Sequence, residues 1–181
     1  MNLISIHLRQ KLLLLVGLCT ICSVAAAQSS PTSTVRAALV YEQEPKKVDN
    51  VIFNRRNIDI RKKWITRDLY DLYLVELARE EQEKKLAPDE KPYFGDGMSF
   101  GPMKEVGCWK NGRPVLQAFS IRKPKISGKI AIVSVGFYYP GCGVGVETFG
   151  FQLIKTSAGW LIDDIDYGEK GTLRKDLQRI H

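Results

Sequence analysis

The stretch from Lys129 to Tyr167 constrains this chain more than any other. Ala131, Val133, Val135 and Phe137 fall on one face of a period-two pattern, with Ile130 and Ile132 on the other. Phe149, Phe151 and Leu153 repeat the step within Val146 to Lys155. Alternation of this kind belongs to a strand with one buried face. Ser157-Ala158-Gly159 reads as a tight turn into a further strand over Trp160 to Tyr167, and Val115 to Ile121, ended by Pro124, supplies an earlier one. Gly141, Gly143 and Gly145 lie between two strands and read as a flexible hairpin. Such short connections predict an antiparallel meander.

Ahead of the strands lies a helical pattern over Thr66 to Leu86. Thr66 is a capping residue, Asp68 suits the first turn, and Pro88 stops the helix. Tyr70, Tyr73, Leu74 and Leu77 repeat at helical spacing, with Leu69, Leu72 and Val75 widening the apolar face. Arg79 to Lys85 is almost wholly charged and is expected to project into solvent. Val35 to Tyr41 reads as a short helix, Asn50 to Ile60 shows no clean period, and Tyr93 to Gly112 reads as a long glycine-rich loop. Thr172 caps a last helix through Leu173, Leu177 and Ile180. Helices followed by a meander predict an α+β fold: N-terminal helices packed on a strongly curved antiparallel sheet, with a short C-terminal helix.

The first residues have the form of a secretory signal. Arg9 and Lys11 precede an apolar run from Leu12 to Ile21, and Ser23-Val24-Ala25-Ala26-Ala27 ends in small residues. The run is shorter than the ~18–20 residues that span a bilayer. Residues 1–27 are therefore expected to be cleaved, 28–50 to form a flexible segment with a short helix, and 51–181 to form one domain. Bulky Leu18 and Ile21 precede Cys19 and Cys22, which argues against lipid attachment there. The expected location is periplasmic or secreted, with no membrane span once the signal is removed.

Two cysteines then remain, Cys108 and Cys142. An even count in an exported chain favours a disulfide over free thiols. Closing a loop of about 35 residues would contribute about 3–4 kcal/mol in the chain-entropy estimate. His181 is the only histidine left, so zinc ligation and histidine-based nucleophilic catalysis lack their ligands and bases. No glycine-rich phosphate loop is present, and neither a cofactor nor a metal is expected. Removal of the signal takes two of the 27 basic residues and none of the 20 acidic ones. The remaining basic excess is scattered along the chain; it suits a solvated surface or an anionic partner, and no nucleic-acid partner is expected.

The run Gly159-Trp160-Leu161-Ile162-Asp163-Asp164-Ile165, followed by a short turn and Leu173, resembles the closing strand of the nuclear-transport-factor-2-like superfamily. More narrowly, it resembles small exported bacterial proteins of that fold classed as a domain of unknown function. The resemblance covers roughly residues 115–180; the N-terminal half follows only in order of elements, and Lys46 to Lys63 reads as an insertion. It implies a cone-shaped half-barrel, a binding role in the envelope and a homodimer through the open sheet face. Unrelated exported proteins of this size include immunity proteins against periplasm-acting toxins.

Two groups of residues are candidates for function. Asp164 and Asp166, with neighbouring Asp163, could supply a general base if one of them faced an apolar cone, as in enzymes of the resembled fold. On strict alternation Asp164 and Asp166 share a face with Ile162, and a solvent-facing or ion-paired role is the simpler reading. Trp109, Tyr138 and Tyr139 flank the two glycine-rich loops and are candidates for partner contact, although each could equally cover a sheet edge or the disulfide. The function expected first is non-enzymatic protein binding in the envelope, with an immunity protein as its most specific form. An envelope-complex accessory subunit and a small aspartate-dependent enzyme are the alternatives.

Overall fold

The computed structural model describes residues 30–43, 53–90, 109–110, 113–115, 117–143 and 145–179. Residues 1–27, expected to form a secretory signal, most of the loop expected after residue 90, and Cys108 lie outside them. Three helices come first: α1 (Pro31–Gln43), α2 (Arg55–Arg61) and α3 (Arg67–Leu86). A two-stranded hairpin, β1 (Trp109–Lys110) with β2 (Arg113–Pro114), precedes the main strands. These are β3 (Ala118–Ile121), β4 (Lys125–Ser127), β5 (Ile130–Tyr138), β6 (Glu147–Thr156) and β7 (Gly159–Asp166). A 3-10 turn at Gly168–Lys170 and the short helix α4 (Leu173–Leu177) end the described chain.

The main sheet is open, antiparallel and five-stranded, in the order β3-β5-β6-β7 with β4 also on β5. β3 and β4 run end to end along one edge of β5: Ala118 faces Tyr138 and Ile121 faces Val135, then Lys125 faces Ile132 and Ser127 faces Ile130. Pro124, which lacks an N–H, falls in the gap between them, where an edge tolerates it. The opposite edge is partly covered. Ile162 N–H donates to Trp64 O (2.7 Å) and Thr66 N–H to Ile162 O (2.8 Å), a short parallel bridge along β7.

Alternation assigns the faces of β5 and β6 as expected. Ala131, Val133, Val135, Phe137, Phe149, Phe151 and Leu153 point into the core, while Ile130 and Ile132 stand on the outer face. Helices cover the inner face through Val35, Ala38 and Leu39 of α1, Ile58 of α2, and Leu69, Tyr70 and Tyr73 of α3. Each of the valine, leucine and isoleucine side chains among them contributes about 1.5–3 kcal/mol when taken from water. Thr34 Oγ1 donates to Trp160 O (3.0 Å), fixing α1 against β7.

Several expectations need correction. The first helix starts at Pro31 and runs to Gln43, so residues expected to be flexible are helical and the core begins upstream of residue 51. Asn54 caps α2 in the stretch that showed no period, its side chain accepting from Asn57 N (2.9 Å). Val75 of α3 is exposed, and Glu80, in the half expected to project into solvent, is buried. Thr66 does cap α3, accepting from Leu69 N at 3.3 Å, and Thr172 caps α4, accepting from Lys175 N at 3.4 Å.

Candidate functional site

β7 does not keep strict alternation. Its pairing with β6 runs Ile154 to Leu161 and Leu153 to Ile162, then jumps to Gln152 with Asp164, so Asp163 is an extra residue in a β-bulge. The bulge lets Ile162 and Ile165, three positions apart, both enter the core. Ile162 therefore does not share a face with Asp164 and Asp166. The two aspartates lie opposite Gln152 and Gly150, on the outer face.

The released Asp163 is a junction. Its Oδ1 accepts from Thr66 Oγ1 (2.8 Å) and from Arg174 Nη2 (2.5 Å), while Arg174 Nε donates to the Asp163 carbonyl (2.8 Å). Asp164 Oδ1 accepts from the backbone N–H of Arg174 (2.9 Å) and of Ile165 (2.8 Å). Asp166 Oδ1 accepts from Gly168 N (2.8 Å), closing the turn after β7. All three carboxylates thus join β7 to α3, to α4 or to the following turn.

Two further ion-pair systems escape the sequence reading. Glu76 is fully buried on α3; its Oε2 accepts from Arg79 Nη1 (2.6 Å) and its Oε1 from Arg179 Nη2 (2.7 Å), tying the chain's end to the helix. Arg61 of α2 donates from Nε to Glu42 Oε1 (2.9 Å) and from Nη2 to Glu42 Oε2 (3.3 Å), with side chains 0 and 2 % exposed. Burial holds the phenol of neighbouring Tyr73 well above its ordinary pKa, opposed by Arg61 and reinforced by Glu42. The signal for the α3 acids was present: Leu69, Tyr73, Glu76 and Glu80 lie on one helical stripe. A carboxylate on an otherwise apolar stripe implies a buried cation as its partner.

The loop candidates gather at one end of the sheet. Tyr138 ends β5 and is half-buried, whereas Tyr139 is buried and so offers little surface. Burial, with Glu147 adding to it, raises the Tyr139 phenol pKa. The chain then turns at Pro140–Cys142, with Cys142 N–H donating to Tyr139 O (3.2 Å). Gly141 has φ +74, and a Cβ placed on it would meet Lys110 Nζ at 2.9 Å. The β1–β2 hairpin, whose first residue is Trp109, therefore lies against this turn. Asp164 and Asp166 lie apart from this group, on the strand at the far edge of the sheet from β3.

Among the described residues, no group of His, Cys, Asp and Glu side chains could hold a metal ion, and no helix is long and apolar enough to cross a membrane. Comparison with protein-family models, curated proteins and solved structures returns no match for this chain.

Proposed function

We propose that this is an exported, non-enzymatic binding protein that contacts a protein partner in the bacterial envelope through the loop end of its sheet. In its most specific form it is an immunity protein that blocks a periplasm-acting toxin. The observation that carries this reading is the approach of Lys110 to Gly141, which joins the Trp109 hairpin and the β5–β6 turn into one edge. A disulfide between Cys142 and Cys108, next in sequence to Trp109, would pin that edge. The contacts of Asp163, Asp164 and Asp166 weigh against an aspartate-dependent enzyme, since each carboxylate already accepts bonds that hold β7 in place. The bulge at Asp163 adds local bend and twist to the sheet, which supports reading it as the cone-type half-barrel of the resembled superfamily.

The test is affinity capture from the native envelope with three versions of the chain. Trp109→Ala should weaken capture strongly, because an aromatic at an interface centre contributes ~2 kcal/mol or more. Asp166→Asn, at the exposed end of β7, should leave it unchanged. Capture of a single secreted toxin supports the immunity role, and capture of a large membrane complex supports an accessory subunit instead. If folded Trp109→Ala protein captures as well as the wild type while Asp166→Asn does not, the loop-edge reading is wrong.

A further inference from the structure

We propose that the other end of the sheet, the β4–β5 hairpin, is a docking surface for an anionic lipid membrane. Arg122, Lys123, Lys125 and Lys129 are all exposed on this hairpin and its approach. Lys155 adjoins them through its backbone N–H, which donates to Lys129 O (2.8 Å), with its Nζ over the Trp160 ring, 5.9 Å from the centroid. Among the described residues none of these five cations forms an ion pair, and from Arg113 to Val146 the sequence contains no acidic residue at all. Apolar side chains on both faces of this hairpin tip remain in water: Ile130 (48 % exposed) and Ile132 (45 %) on the outer face with Lys125, and Ile126 (55 %) on the other face, opposite Ala131, so the tip would meet a bilayer end-on.

Lysines on an edge strand often serve only to prevent edge-to-edge pairing. That role gives no reason to leave three isoleucines half exposed beside them. Cations together with protruding aliphatic groups are what an anionic bilayer recognises, the charges staying at the headgroups and the isoleucines entering the acyl boundary. Four of the five cations are lysines, compact charges on flexible stems; these suit a diffuse plane of negative charge better than the paired geometry of a specific carboxylate or phosphate site, which favours arginine. Arg122 to Ser134 contains no aromatic side chain on which a nucleic-acid base could stack. Ile130 and Tyr138 end the same strand, roughly 25 Å apart by strand rise, so the hairpin can rest on a membrane while the loop edge stays free for a protein partner.

The experiment is co-sedimentation of the protein, purified from the full-length gene, with two kinds of vesicle: phosphatidylcholine alone, and an equal mixture of phosphatidylcholine and phosphatidylglycerol. The wild type should bind the anionic vesicles preferentially. The preference should fade as salt rises from about 0.1 M to about 1 M, which shortens the screening length from ~10 Å to ~3 Å. Lys125→Ala with Lys129→Ala should weaken anionic binding about 25-fold, at about fivefold per cation. Ile126→Ser with Ile130→Ser should weaken it several-fold. Lys84→Ala with Lys85→Ala, on the far end of α3, should bind like the wild type. All these positions are exposed, and circular dichroism confirms that each variant is folded before it is compared. Equal binding to the two vesicle types, no binding to either, or an undiminished Lys125/Lys129 variant would each overturn the proposal.

Discussion

Asp164 shows how the groups around a strand carboxylate assign its role. One oxygen accepts two backbone N–H groups, from Ile165 beside it and from Arg174 at the start of α4. An amide oxygen in the same place can accept both. Asp164→Asn should therefore lower stability by no more than about 1 kcal/mol, the part contributed by charge. Asp164→Ala removes the acceptor and leaves two partly buried donors without it, so it should cost about 1–3 kcal/mol in urea unfolding. Equal losses for the two variants would show that the carboxylate's charge, rather than its geometry, holds α4 to β7. The sequence showed three aspartates in a row of four positions but not their tasks. Assigning those tasks requires Thr66 and Arg174, which are distant in the chain and become neighbours only through the bulge.

At the scale of elements, the strands were the legible part. β5 and β6 each bury one face and expose the other, so period two appears directly in the residue types. β7 was legible in position but not in register, because a bulge inserts one residue and shifts every side chain beyond it. β4 went unseen: it is three residues long, exposed throughout, and leaves no alternation to read. α2 went unseen for a different reason. Its buried face consists of Asn57, Ile58 and Arg61, and Arg61 counts as apolar surface only once Glu42 neutralises it. That pair gives an element-level prediction. Arg61→Met alone strands a buried carboxylate and should destabilise by about 3–5 kcal/mol. Adding Glu42→Leu should recover most of the loss, since a well-packed apolar pair of similar volume is often neutral or better, within about 1–4 kcal/mol of stabilisation. Chemical denaturation of both single variants and the double variant measures the coupling. A double variant as unstable as the sum of the singles would show that the pair is not what orders α2.

For the whole molecule, the question is how the two ends of the sheet work together in a chain we propose to be exported. The composition spoke to this early, through the apolar run at Leu12 to Ile21 and the pair of cysteines beyond it. The spatial link did not, because Cys108 and Cys142 are far apart in sequence and only Lys110 against Gly141 indicates that their neighbourhoods meet. We predict that protein purified from the native envelope begins at or near Gln28 and carries Cys108 and Cys142 in one bridge. Intact mass and non-reducing peptide mapping read both. Retention of Leu12 to Ala27 would remove the export argument, and two alkylatable thiols would remove the bridge. Reduction should then lower stability by at most about 3–4 kcal/mol. It should leave the fold standing, because the apolar faces of β5, β6 and β7 and the helices over them form one core that no described cysteine enters. Loss of partner capture on reduction, with the fold intact, is the outcome that joins the bridge to function: the scaffold would survive while the edge it positions came loose.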